Sequence, residues 1–176
     1  MNASTEHTAH LKSLAMTRWH RGHHSFHLHL STMNSVIDNS LVLLRDNEKK
    51  QLEKMICILA RLFRSATANM RYAADFPSEI YESTIRPSMM PPAIHPGFSG
   101  SLNRDHKVML ANLEFLHKSL TTALGSKIEA WPQTMNTAWQ FLQSEIRTSR
   151  KNHGLICKKF VPEGPSLLRE YYKNKQ

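Results

Sequence analysis

The sequence predicts an all-α protein: a helical bundle of four long helices plus a short N-terminal helix, with a long ordered Pro-rich loop in its middle. Three observations predict it. Apolar residues recur with a 3.6-residue period in four separate segments, no segment shows sustained period-two alternation, and five prolines cluster between two of the segments.

The first stripe runs through Phe26, Leu30, Met33, Val36, Ile37, Leu41 and Leu44, one face of a helix. The second runs through Leu52, Met55, Ile56, Leu59, Leu62 and Phe63. Asp46 or Asn47 suits its N-cap, with Glu48 in the first turn, where a carboxylate meets the positive end of the helix dipole. The third passes through Met109, Leu113, Leu116, Leu120 and Leu124 and is closed by Gly125 as the residue just past the helix. The fourth starts at Trp131-Pro132, since proline suits the first helical position. It carries Trp139, Leu142 and Ile146 and runs to Phe160, ahead of Pro162.

Between Phe76 and Arg104 lie Pro77, Pro87, Pro91, Pro92 and Pro96, with Gly97 and Gly100. The same stretch holds Tyr81, Ile85, Met89, Met90, Ile94 and Phe98, too apolar for a free linker. It reads as an ordered loop that forms the wall of a pocket.

A chain of 176 residues suits one domain over 1–176, with residues 1–15 as a candidate flexible arm. With 40% hydrophobic and 21% charged residues, the composition excludes a disordered tail and a disulfide scaffold. No apolar run approaches a membrane span, and Met1 to Leu14 lacks the apolar centre of an export signal. Cys57 and Cys157 form no CxxC pattern, so the expectation is a reducing, cytoplasmic setting with both thiols free. The net charge of +9 favours an anionic partner, although solvated helix faces account for scattered cations equally well. A nucleic-acid-binding module is one candidate class. Aromatic and basic residues do not interleave as a base-stacking platform requires, which weighs against it.

Three constellations carry chemistry. His153 and Cys157 stand four apart, so on a helix both face one way, about a turn from each other. An imidazole beside a thiol suits a transition metal or a haem, with the histidine as axial ligand and the cysteine near the ring edge. A surface histidine and a buried thiol would give the same spacing by chance. Second, five of the eleven histidines fall between His20 and His29, including the pairs His20/His24 and His23/His27. Either pair suits a divalent metal, so a non-haem metal protein using the His20–His29 cluster is an alternative. Against it, no Asp or Glu lies between Glu6 and Asp38 to orient such ligands. Third, Arg86 sits before Pro87 in an apolar loop, where its planar fork suits a carboxylate, or else staples the loop to its own carbonyls.

In this order, the segments resemble the tryptophan 2,3-dioxygenase superfamily of histidine-ligated haem-dependent aromatic oxygenases, which includes haem tyrosine hydroxylases and a peroxygenase branch. The resemblance rests on Trp19 four before His23, on Tyr81 to Arg86 (one residue longer than the aromatic-x-x-x-Arg step), and on Phe98-Ser99-Gly100. It continues through His153, Lys158-Lys159, Gly164-Pro-Ser166 and Leu168-Arg169-Glu-Tyr171. The His-x-x-x-Cys step resembles the haem-linking step of the peroxygenase branch.

The resemblance implies an oxidoreductase that uses dioxygen or peroxide on a small aromatic, amino-acid-derived substrate, in a homo-oligomer. It implies His153 as the iron ligand, Cys157 as a covalent link to haem, and His23 as the distal histidine, with His24 in its place if the register shifts by one. Arg86 would hold the substrate carboxylate, Tyr81 and Trp19 would line the pocket, and Ser99 and Gly100 would face the ligand. The chain is much shorter than the dioxygenases, and the loop that holds the amino acid's ammonium is reduced to Glu163-Gly-Pro-Ser166, so tryptophan itself is not the expected substrate.

Overall fold

The computed structural model describes residues 3–95, 97–98 and 103–161, and among them every regular element is helical. Helix α1 spans Ala3–Arg45, 43 residues without a proline. At 1.5 Å per residue it is about 65 Å long. The expected short N-terminal helix is therefore not a separate element: residues 3–15 are the opening turns of α1, because nothing in the sequence breaks the helix before Arg45.

Helix α2 follows over Lys49–Ala73. Its N-cap is Glu48, one residue later than expected, because Asn47 takes a left-handed backbone (φ 59°) to reverse the chain. Asparagine tolerates that conformation better than most residues. After Phe76 come α3 (Ser78–Ile80), a π-helical turn (Tyr81–Ile85) and α4 (Arg86–Ser88), so part of the expected loop is a compact helical ramp. Helix α5 spans Arg104–Leu124, its first turn capped by the Asn103 side chain, which accepts from the His106 N–H at 2.9 Å. It ends at Gly125, whose φ of 99° favours glycine. A single 3₁₀ turn (Ile128–Ala130) leads to α6, Gln133–Phe160, with Pro132 just ahead of its first turn.

Helix α1 packs on α2, α2 on α6, and α5 on α1. The stripes meet in one core that includes Leu30, Ile37, Ile56, Leu59, Leu116, Leu120, Trp139 and Leu142. A second, smaller cluster joins Ala15, Ala74, Phe76, Tyr81, Ile85 and Phe160, tying the ramp to the end of α6. Polar links fix the helix registers. Arg64 on α2 donates to the buried Glu145 on α6 at 2.6 Å, and His29 on α1 bonds the Ser65 hydroxyl on α2 at 2.8 Å. Both cysteines are free, and no helix among the described residues is long and apolar enough to cross a membrane.

Trp139 is 1% exposed at the centre of this core. Trp139→Ala should lower stability by about 3–5 kcal/mol through lost transfer energy and the cavity left behind. That corresponds to a Tm lower by roughly 10 °C, readable by circular dichroism melting.

Candidate functional site

Helix α6 carries His153 and Cys157 near its C-terminal end, both exposed to solvent. The Cys157 sulfur lies 3.8 Å from each nitrogen of the His153 ring, so the two side chains stand side by side as their spacing predicts. Partial burial pushes the thiol pKa up, which keeps Cys157 protonated at neutral pH.

The same face of α6, followed back by helical steps, carries Arg150, Ile146 and Trp139. These line a groove of about 390 Å³ whose opposite wall is Leu110, Leu113 and His117 of α5. His117 stacks on Trp139 at 5.0 Å and closes one end of it. Toward the other end, His106 of α5 comes close enough to His153 for that imidazole's charge to depress its own pKa, a smaller effect than burial. The His153/Cys157 pair lies on that same face of α6, beyond Arg150, the last α6 residue that lines the groove.

A second group gathers on α1. The His23 ring lies 3.9 Å from Trp19 and 5.3 Å from Phe98, centroid to centroid. Its Nδ1 is 2.8 Å from the Trp19 carbonyl. A carbonyl can only accept, so Nδ1 carries the proton and Nε2 presents a bare lone pair. Burial lowers the His23 pKa, the bond to Trp19 raises it, and the charges of His27 and His20 lower it further, for a net downward shift.

That shift has a pH signature. The unfolded chain takes up a proton near the ordinary value of 6.5, whereas folded His23 resists until lower pH. Stability is therefore complete above pH 6.5 and falls as pH drops toward the folded pKa. Thermal melts should show Tm declining between about pH 7 and 5.5, with a shallower decline in His23→Gln; an equal decline in both would reject the assignment.

The two groups are joined through aromatic rings. Trp19 meets Tyr81 at 6.2 Å, Tyr81 stacks on Phe160 at 4.4 Å, and Phe160 stacks on Phe76 at 5.2 Å. Burial raises the Tyr81 phenol pKa, with Arg86 opposing and Glu82 and Cys157 adding to it, so Tyr81 also lies near the α6 pair.

The π-helical turn explains the long step from Tyr81 to Arg86. A π turn holds one residue more than an α turn, and the Arg86 N–H bonds the Tyr81 carbonyl across five residues. The extra residue is absorbed locally, and Tyr81 and Arg86 stay one turn apart. Arg86 Nη1 meets both Glu82 carboxylate oxygens at 2.8 Å. The guanidinium expected to receive a ligand carboxylate is thus partly engaged within its own segment, through one nitrogen. Its side chain keeps 18% exposure.

Residues 2–135 match the family described as SfmD 3-methyl-L-tyrosine peroxygenase. This chain belongs to that family. The 3-methyl-L-tyrosine peroxygenase of Streptomyces lavendulae is 32% identical over 159 residues, which cover 88% of this chain and 40% of the relative. The chain spans less than half the length of that relative. No solved structure matches.

Within the SfmD family match lie Trp19, His23, His24, Tyr81 and Arg86, while His153 and Cys157 follow it on α6. The structure brings Trp19, His23 and Tyr81 together, and Tyr81 with Arg86 and Cys157. It places His24 apart, exposed on the outer side of α1. Ser99, Gly100 and the segment from Gly164 to Tyr171 lie outside the described residues. Among the described residues no three His, Cys, Asp or Glu side chains converge on one point, so the His20–His29 cluster supplies no three-ligand metal set. Sequence reasoning assigned no site role to His106 or Phe160, and it named Phe98 only in the loop and in the step before Ser99. His106 was detectable, since it stands four before Leu110 on the α5 face that lines the groove; Phe160 was not, because its partners Tyr81 and Phe76 are brought to it only by the ramp.

Proposed function

We propose that this chain is the helical, haem-binding part of a peroxygenase that adds oxygen to the ring of a tyrosine-type amino acid. The observation that carries the reading is the His153/Cys157 pair, side by side and open to solvent on the α6 face that farther back lines the α5–α6 groove, in a chain of the SfmD family. The donor set fits haem. One imidazole is accessible for iron, one thiol lies a turn away, and the groove farther back on the same face is lined by Leu110, Leu113, Ile146 and Trp139 together with the polar Glu114, Gln143 and Arg150. Haem bound there supplies peroxide-driven oxidising power, and the protein supplies orientation and exclusion of water.

His153 would hold the iron through a ring nitrogen. Cys157 would tether the porphyrin through a thioether. His23 offers Nε2 to the phenol O–H of the substrate, with its tautomer fixed by the Trp19 carbonyl. Arg86 presents Nε and Nη2 to the substrate carboxylate while Glu82 holds Nη1. Trp19 and Tyr81 shield the reacting ring from water. These roles follow the resemblance to the tryptophan 2,3-dioxygenase superfamily, and the relative's named activity favours peroxide over dioxygen.

The test is direct. The chain produced with haem should show a Soret band, and with hydrogen peroxide and 3-methyl-L-tyrosine or L-tyrosine it should yield a product heavier by one oxygen atom. After acid-acetone extraction the haem absorbance should stay with the parent chain and leave Cys157→Ala. Absence of a Soret band, or of any oxygenated product, overturns the reading; haem retained by Cys157→Ala overturns the tether.

A further inference from the structure

Of the five histidines between His20 and His29, three are held by the fold. His23 donates to the Trp19 carbonyl at 2.8 Å, and His27 Nε2 accepts from the Asn103 amide at 3.2 Å. His29 donates to the Ser25 carbonyl at 2.7 Å and accepts from Ser65 at 2.8 Å. His20 and His24 differ. Both are exposed, and neither ring hydrogen-bonds to another described residue. They are four apart within the unbroken α1, so their Cβ atoms rise from one face about 6 Å apart.

We propose that His20 and His24 form a two-imidazole site for a divalent transition-metal ion on the outer face of α1, separate from the α5–α6 groove. Two imidazole nitrogens one turn apart can reach a common ion at about 2.0–2.1 Å by changes of rotamer alone. No packing resists those changes, because both rings stand in solvent. His27, next along the same face, is withheld from the set by Asn103. No third His, Cys, Asp or Glu joins among the described residues, so water completes the coordination. Paired imidazoles select zinc, nickel or copper over magnesium and calcium, which prefer oxygen donors.

The site rests on α1 alone and stands or falls independently of the haem reading. Calorimetric titration of the full chain with nickel(II) should show one ion bound per chain. Because the second imidazole is already held near the first, losing either should weaken binding by roughly tenfold or more. His20→Ala and His24→Ala should therefore each lose the site, while the double variant His7→Ala, His10→Ala on the same helix should keep it. The site should also persist in the double variant His153→Ala, Cys157→Ala, which removes the other histidine-bearing pair. Unchanged affinity in both His20→Ala and His24→Ala, or loss in either double variant, overturns the proposal. Neither ring touches the core, so folding of the single variants is not at issue.

Discussion

Replacing His153 with alanine should abolish the Soret band of the haem-loaded chain while leaving its helical circular dichroism unchanged. The side chain is exposed, and among the described residues its only hydrogen-bonding neighbour is the Cys157 sulfur at 3.8 Å, so the fold has little to lose with it. The cofactor would lose its hold, since on the proposed reading this imidazole is the iron's ligand. Imidazole added to the buffer should restore part of the absorbance by filling the vacated volume. If His153→Ala kept the parent band in position and intensity, the ligand would lie elsewhere on the groove, and His106 would be the next residue to replace.

The His153/Cys157 pair was readable in the sequence because helical spacing alone brings i and i+4 together. The groove beside it was not, because it depends on how loosely α5 and α6 meet, which no local pattern encodes. The same division runs through the fold. The stripes of α2 and α5 and the glycine stop at Gly125 follow from period and cap chemistry, and the structure reproduces them. The ramp from Ser78 to Ser88 did not follow, since its prolines mask a helical path and a π turn has no compositional sign. The fork of Arg86 suits either a ligand carboxylate or a staple to the loop's own carbonyls, and its first partner is instead the carboxylate of Glu82, four residues earlier, which the apolar reading of the loop passed over.

Gly22→Val should be the most disruptive single change next to the site. A Cβ at Gly22 would stand 2.4 Å from the Ala73 Cβ, 2.9 Å from its Cα and 3.1 Å from its N. Two of those atoms are backbone, so no rotamer can yield and α1 must move away from α2. Exchanging a helical glycine for valine gains only about 0.4 kcal/mol in propensity, because valine is itself a poor helix former. Overpacking at a backbone contact costs about 3 kcal/mol, so the net effect is destabilising, with Tm lower by several degrees. His23 follows directly in the chain, so its stacking on Trp19 should loosen as well, and the variant's Tm should respond differently to pH. Gly154 is the contrast: nothing lies within 4 Å of the Cβ it would carry, so Gly154→Ala should raise stability by up to about 1 kcal/mol. A melt in which Gly22→Val matched the parent would refute the close crossing of α1 and α2.

The wide turn at Tyr81–Ile85 works as a shim. In an ordinary helix, inserting one residue swings everything downstream through about 100°. Here the surplus is taken up within five residues, so the chain beyond Arg86 can lengthen or shorten by one without turning Tyr81 away from the rings it rests on. Related chains that differ by a single residue at this point can therefore share the same pocket wall.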